Sequence, residues 1–182
     1  PAARRGALLS AMMTHRCNIA VAGTHGKTTT TSLAAWSLFA LGADPSFLVG
    51  GVPKNFPVSY RLGQGRHFVI EGDEYDTAYF DKGPKFLHYR PRIVLLTSVE
   101  FDHADIYRDL DHVRESFRKL AAILPPDGLF VACADYPDVV AVAREAHCPV
   151  IFYATRDGAL PEGREETSWA VRGTGETGGM TG

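Results

Sequence analysis

AVAGTHGKTTTT, residues 20–31, joins the end of an apolar run to a glycine-bounded turn, one lysine and four threonines. A strand, a glycine turn and a helix opening near Lys27 would aim backbone N–H groups and the positive end of a helix dipole at one point. That point favours phosphate. Gly23 and Gly26 let the backbone curl round an anion, Lys27 can reach terminal phosphates, and the Thr28 hydroxyl can join a magnesium shell. The candidate cradle is Gly23, Thr24, His25, Gly26, Lys27, Thr28 and Thr29, and its expected ligand is a nucleoside triphosphate with magnesium. The general pattern GxxxxGK[ST] is incomplete, because Val21 stands at its first glycine.

Outward from this loop, apolar runs of strand length alternate with segments of helical period, the pattern of a parallel sheet flanked by helices. Strands are predicted at 18–22, 47–49, 67–70, 93–99, 129–133 and 150–153, and helices at 27–41, 109–124 and 136–146. In the first helix Leu33, Trp36, Leu38 and Leu41 are expected to face inward, with Gly42 as a left-handed stop. In the second, Val113, Phe117, Leu120 and Ile123 or Leu124 share a face ahead of Pro125 and Pro126. The predicted fold is therefore α/β, a P-loop-containing, mainly parallel sheet with helices on both faces. Residues 1–16 read as a linker or amphipathic helix following another domain, and 17–155 as the nucleotide-binding domain. Residues 156–182, rich in Gly, Glu and Thr, read as a mobile or incomplete tail.

Composition narrows the partners. A net charge of −2 and a pI near 6.4 give no bulk attraction for nucleic acid or acidic membrane surfaces. Cys17, Cys133 and Cys148 lack disulfide-framework or zinc spacing. With no apolar run of about 18 residues and no convincing signal cleavage site, a cytoplasmic protein is expected.

Two acidic clusters follow predicted strands. In HFVIEGDEYD, Glu71 leaves a strand at its carboxyl end, the edge where open parallel sheets bind ligands, and Asp73, Glu74 and Asp76 come next. In IVLLTSVEFDHAD, Glu100, Asp102, His103 and Asp105 do the same. One carboxylate with Thr28 suffices for a first magnesium, whereas histidine is an unusual magnesium ligand on chemistry alone. His15, His67, His88, His112 and His147 are isolated and receive no role.

AGTHGKTTT, the Gly50–Val52 turn, VIEGDEYD and VEFDHAD together resemble the central ATP-binding domain of the Mur ligases, over roughly residues 10–155. Within that family GGVPKNF, EGDEYDTAYFDKGPKFLHYRP and EFDHADIY are most similar to members that act in peptidoglycan recycling. The resemblance implies an ATP-dependent amide ligase joining L-Ala-γ-D-Glu-meso-diaminopimelate to UDP-N-acetylmuramate through an acyl phosphate. It implies that Lys27 binds the β- and γ-phosphates, that Thr28 and Glu71 ligate a first Mg2+, and that His103 ligates a second. Lys27 and His103 are thus the catalytic candidates, and Asn55, Asp73 and Glu74 are candidates for substrate contact.

Several relatives carry a carbamylated lysine in the helix after the histidine motif, and Phe117 stands near that position here. The adenine-contacting HN pair of the family does not occur in these 182 residues. The fragment is accordingly expected to be inactive in ligation by itself. Two alternatives remain: the UDP-N-acetylmuramate–L-alanine ligase, and a nucleotide-binding module without ligase chemistry.

Overall fold

The computed structural model describes residues 9, 11–72, 76–78, 81–100, 110–154 and 168–170. Strand β1 (Cys17–Ala22) leads through the glycine loop into helix α1 (Lys27–Ala40), followed by β2 (Ser46–Leu48), β3 (Tyr60–Arg61) and β4 (His67–Glu71). A separate two-stranded ribbon, β5 (Asp76–Ala78) with β6 (Asp81–Pro84), and a 3-10 turn (Lys85–Tyr89) precede β7 (Ile93–Leu96). Helix α2 (Leu110–Ala122), β8 (Leu129–Cys133), helix α3 (Pro137–Arg144), β9 (Val150–Ala154) and β10 (Ser168–Ala170) complete the described elements. The main sheet runs β10-β9-β8-β7-β1-β4-β2-β3 and is parallel except where β3 pairs with β2. This is the predicted architecture.

β1 is central and every one of its six residues is buried. Its side chains alternate between two layers, as a strand's period of two requires. Ile19 and Val21 join Val69, Phe47 and Ala35 under α1, while Ala20 and Ala22 join Phe68, Ile70, Val94 and Leu96 beneath α2 and α3. Parallel strands covered on both faces need continuous apolar runs, which is why β1, β4 and β7 were visible in the sequence.

The inward face of α1 differs from the expected one. Leu33 and Leu41 are 63% and 82% exposed, Trp36 lies at the surface, and Leu38 is only partly buried. The residues facing the sheet are Thr31 and Ala35, both fully buried. A helix entered directly from a tight loop at the end of the central strand lies close to the sheet, and small side chains permit that approach. The bulky residues are displaced sideways, where Trp36 and Phe39 each meet the Phe56 ring edge-on at 5.5 Å. Gly42, with φ +74°, closes the helix as expected.

α2 follows its pattern: Val113, Phe117, Leu120 and Leu124 are buried, whereas Ile123 turns outward. Phe117 stacks on Phe86 with ring centroids 5.9 Å apart, so the 3-10 turn and the helix share one core contact. β3, the β5–β6 ribbon, the 3-10 turn and β10 have no counterpart in the sequence prediction. β10 falls within the expected tail and pairs in parallel with β9.

At the opposite edge from the glycine loop, a helical turn at 11–13 packs Met13 into the core. The buried Asn18 amide donates to Met13 O (3.3 Å) and Tyr89 O (2.9 Å), tying that turn to the 3-10 segment. Nearby, His67 has a buried Nδ1 with no hydrogen-bond partner, and burial, helped by Arg66, holds its pKa below the ordinary 6.5. A neutral ring leaves a lone pair at Nδ1, but a charged ring would bury an unsatisfied N–H.

The unfolded chain therefore takes up this proton at higher pH than the folded one. The stability contributed by neutral His67 is complete above about pH 6.5 and is lost as pH falls below it. Melting temperature is expected to drop between about pH 7.5 and about pH 5, and to drop less in His67→Gln. Equal drops in the two proteins would refute the assignment.

Candidate nucleotide and metal site

The glycine loop is built against the exit of β7. The Thr97 backbone N–H and hydroxyl both donate to Ala22 O, at 3.0 and 3.1 Å. Thr24 N–H donates to Ser98 O at 3.0 Å, His25 N–H to Ser98 Oγ at 2.8 Å, and the Thr97 hydroxyl to His25 O at 2.5 Å. Thr97 and Ser98 thus splint the loop. Gly23 has φ +136°, and a Cβ there would lie 2.9 Å from Ser98 N, so both conformation and contact demand glycine. Sequence reasoning missed the two hydroxyls; their position directly after the strand adjoining β1 was the available signal.

Gly26, with φ +79°, is the N-cap of α1 and supplies no side-chain cap, and the first turn contains no acid. The N–H groups and partial positive charge of that terminus therefore face the loop uncompensated by any side chain of the turn. Lys27, half-buried, folds back so that Nζ donates to Gly23 O (2.6 Å) and Thr24 O (3.4 Å). Thr24, His25, Gly26, Lys27, Thr28 and Thr29 line a cavity of about 250 Å³ here. All seven sequence candidates for the cradle, including Gly23, are brought together.

Glu71 ends β4, which pairs directly with β1, and this places its carboxylate beside the start of α1. The Thr28 hydroxyl donates to Glu71 Oε1 at 2.6 Å, and Gly50 N–H donates to Glu71 Oε2. Two hard oxygens converge at the solvent-accessible mouth of the loop. A hydroxyl and a carboxylate oxygen are the hard donors that magnesium takes, so the chemistry of Thr28 and Glu71 fits that ion. No group of three His, Cys, Asp or Glu gathers as a metal site among the described residues.

On the β7 side, His25 Nε2 lies 3.4 Å from Glu100 Oε2, both side chains about half exposed. His103, Asp73 and Glu74 lie outside the described residues. Asn55 is exposed and lines a second cavity of about 400 Å³ with Thr28, Thr29, Ser32, Leu33, Trp36, Val52, Pro53 and Lys54. The two cavities adjoin through Thr28 and Thr29. At the carboxyl ends of β8 and β9, burial pushes the Cys133 thiol and the Tyr153 phenol up, which keeps both neutral and argues against a cysteine nucleophile. Among the described residues, no helix is long and apolar enough to cross a membrane.

An open parallel sheet with a glycine loop at the carboxyl end of its central strand defines a mononucleotide-type α/β domain. The chain belongs to the Mur ligase family: the model of the Mur ligase middle domain matches residues 21–176. It is 53% identical over 113 residues to the UDP-N-acetylmuramate–L-alanyl-γ-D-glutamyl-meso-2,6-diaminoheptandioate ligase of Escherichia coli, covering 62% of this chain and 25% of that protein. To the UDP-N-acetylmuramate–L-alanine ligase of Rubrobacter xylanophilus it is 40% identical over 160 residues, 88% of this chain and 34% of that one. The crystal structure of the UDP-N-acetylmuramate:L-alanyl-γ-D-glutamyl-meso-diaminopimelate ligase from Neisseria meningitides superposes with a TM-score of 0.76 at 44% identity, covering 81% of this chain and 49% of that one. The chain thus spans a quarter to a third of the two sequence relatives.

Proposed function

We propose that this chain is the ATP-binding part of a cytoplasmic ligase that joins L-Ala-γ-D-Glu-meso-diaminopimelate to UDP-N-acetylmuramate, as a step of peptidoglycan recycling. The carrying observation is the Thr28 hydroxyl 2.6 Å from the Glu71 carboxylate, at the uncapped start of the helix that also holds Lys27. Preference for the tripeptide rests on the 53% identity to a ligase of that name.

In this reading the N-terminus of α1 and the Lys27 ammonium hold the ATP phosphates. Lys27 exchanges its two loop carbonyls for phosphate oxygens. Thr28 and Glu71 hold one Mg2+, and His103 is assigned to a second. When bound, magnesium neutralises phosphate charge. The substrate carboxylate attacks the γ-phosphorus, the bond to ADP breaks, and an acyl phosphate forms; positioning and charge neutralisation supply most of such catalysis. The tripeptide amine then attacks the acyl carbon and loses a proton as inorganic phosphate departs. Asn55, Asp73 and Glu74 are assigned to the substrate side. The chain spans only a quarter to a third of the two sequence relatives, so the 182 residues are expected to show no ligation alone.

A second reading is the L-alanine ligase, favoured by the match extending over 88% of this chain. Phosphate release by the full-length protein with Mg-ATP and UDP-N-acetylmuramate separates the two. Turnover with the tripeptide but not with L-alanine supports the proposal, and the reverse assigns the alanine ligase. Turnover with neither leaves a nucleotide-binding module.

A further inference from the structure

Glu71 has two oxygens and they do different things. Oε1 takes the Thr28 hydroxyl at the metal position, and Oε2 takes the backbone N–H of Gly50, twenty-one residues earlier in the chain. A Cβ built on Gly50 would lie 2.6 Å from Glu71 Oε2 and 3.3 Å from its carboxyl carbon. Real Cβ atoms do not approach a carboxylate oxygen so closely, and Gly50 carries no positive φ among the backbone specials, so its conformation does not ask for glycine. The space does. The next residue is a natural contrast: a Cβ on Gly51 would meet only Thr28 Cγ2, at an ordinary 3.4 Å.

We infer that Gly50 is a positioning residue for the metal-binding carboxylate: its bare Cα and its N–H together fix the rotamer in which Glu71 meets Thr28. This rests on the reading of Thr28 and Glu71 as magnesium ligands. A partner that orients a ligating carboxylate from behind sets metal affinity although it never touches the ion. In Gly50→Ala the added methyl displaces Oε2 from the Gly50 N–H, and the carboxylate loses the contact that holds the rotamer in which Oε1 meets Thr28. The defect is confined to the metal. Lys27, the loop N–H groups and the α1 terminus are untouched, so the part of nucleotide affinity that needs no magnesium stays as it was.

Calorimetric titration of the full-length protein with ADP, in Mg2+ and separately in EDTA, tests the inference. Gly50→Ala is expected to weaken Mg2+-dependent ADP binding by about 10-fold or more while leaving binding in EDTA unchanged. Gly51→Ala is expected to match wild type in both. In a Glu71→Gln background, Gly50→Ala adds nothing further, because the group it acts through is already altered. A measurement on the unmutated residue covers the case in which Gly50→Ala fails to fold: Mg2+ added to the ADP complex is expected to shift the Gly50 amide resonance in wild type, and not in Glu71→Gln.

Equal loss with and without Mg2+, no loss at all, a further loss on top of Glu71→Gln, or an unmoved Gly50 amide overturns the role assigned to Gly50. Wild type binding ADP identically with and without Mg2+ removes the metal reading first, and the inference with it.

Discussion

Lys27→Ala is expected to lower ATP-dependent turnover of the full-length protein by at least about 100-fold, the scale of losing a charge aimed at the transition state. The fold is expected to survive, because the ammonium donates to carbonyls of its own loop, Gly23 O and Thr24 O. The loop is held instead by Thr97 and Ser98 through bonds that do not involve Lys27. Phosphate release and a melting curve check both halves. Wild-type turnover in the variant would detach the loop from the chemistry, and a collapse of melting temperature would make Lys27 a structural residue.

Phe117→Ala is expected to cost about 3–5 kcal/mol, the range for deleting a fully buried aromatic ring. That is a large share of the roughly 5–15 kcal/mol that holds a typical domain together. Phe117 is fully buried, and its ring stacks on Phe86. Ile123, six residues on in the same helical region, is 39% exposed, and its replacement by alanine is expected to change stability by no more than about 0.5–1 kcal/mol. Denaturant titration of the two variants side by side reads the difference. Similar losses would mean that the helix is seated differently. The burial of Phe117 also closes that position to a charged modified lysine, which would have to enter the core.

The sheet was legible because a buried parallel strand leaves few choices: IAVA, FVI, IVLL and LFVA are apolar without interruption. The phosphate loop was legible for the converse reason, that two glycines and a lysine between a strand and a helix are a poor way to fill a core. The face of α1 was not legible. Periodicity assigns large apolar residues to the inside, yet the distance between helix and sheet decides which sizes fit, and that distance follows from the loop joining them.

Two-residue β3 is too short to show a period, and it is a strand only by virtue of its antiparallel pairing with β2. The splint of Thr97 and Ser98 was hidden because a hydroxyl in a sequence does not disclose its acceptor. Gly50 was noticed as part of a family motif, but its use depends on a carboxylate twenty-one residues away.

The position of β1 has a consequence for how the chain is made. Among the described strands it comes earliest in the chain, yet it lies inside the sheet, flanked by β4 on one side and β7 on the other. Its final partner is not available until Leu96 has left the ribosome, so one edge of six consecutive buried residues waits unpaired after β4 has covered the other. Closing contacts across such separations is slow compared with local pairing. Nascent-chain folding is therefore timed by the arrival of β7, and until then the unpaired edge of β1 is the surface most in need of chaperone protection.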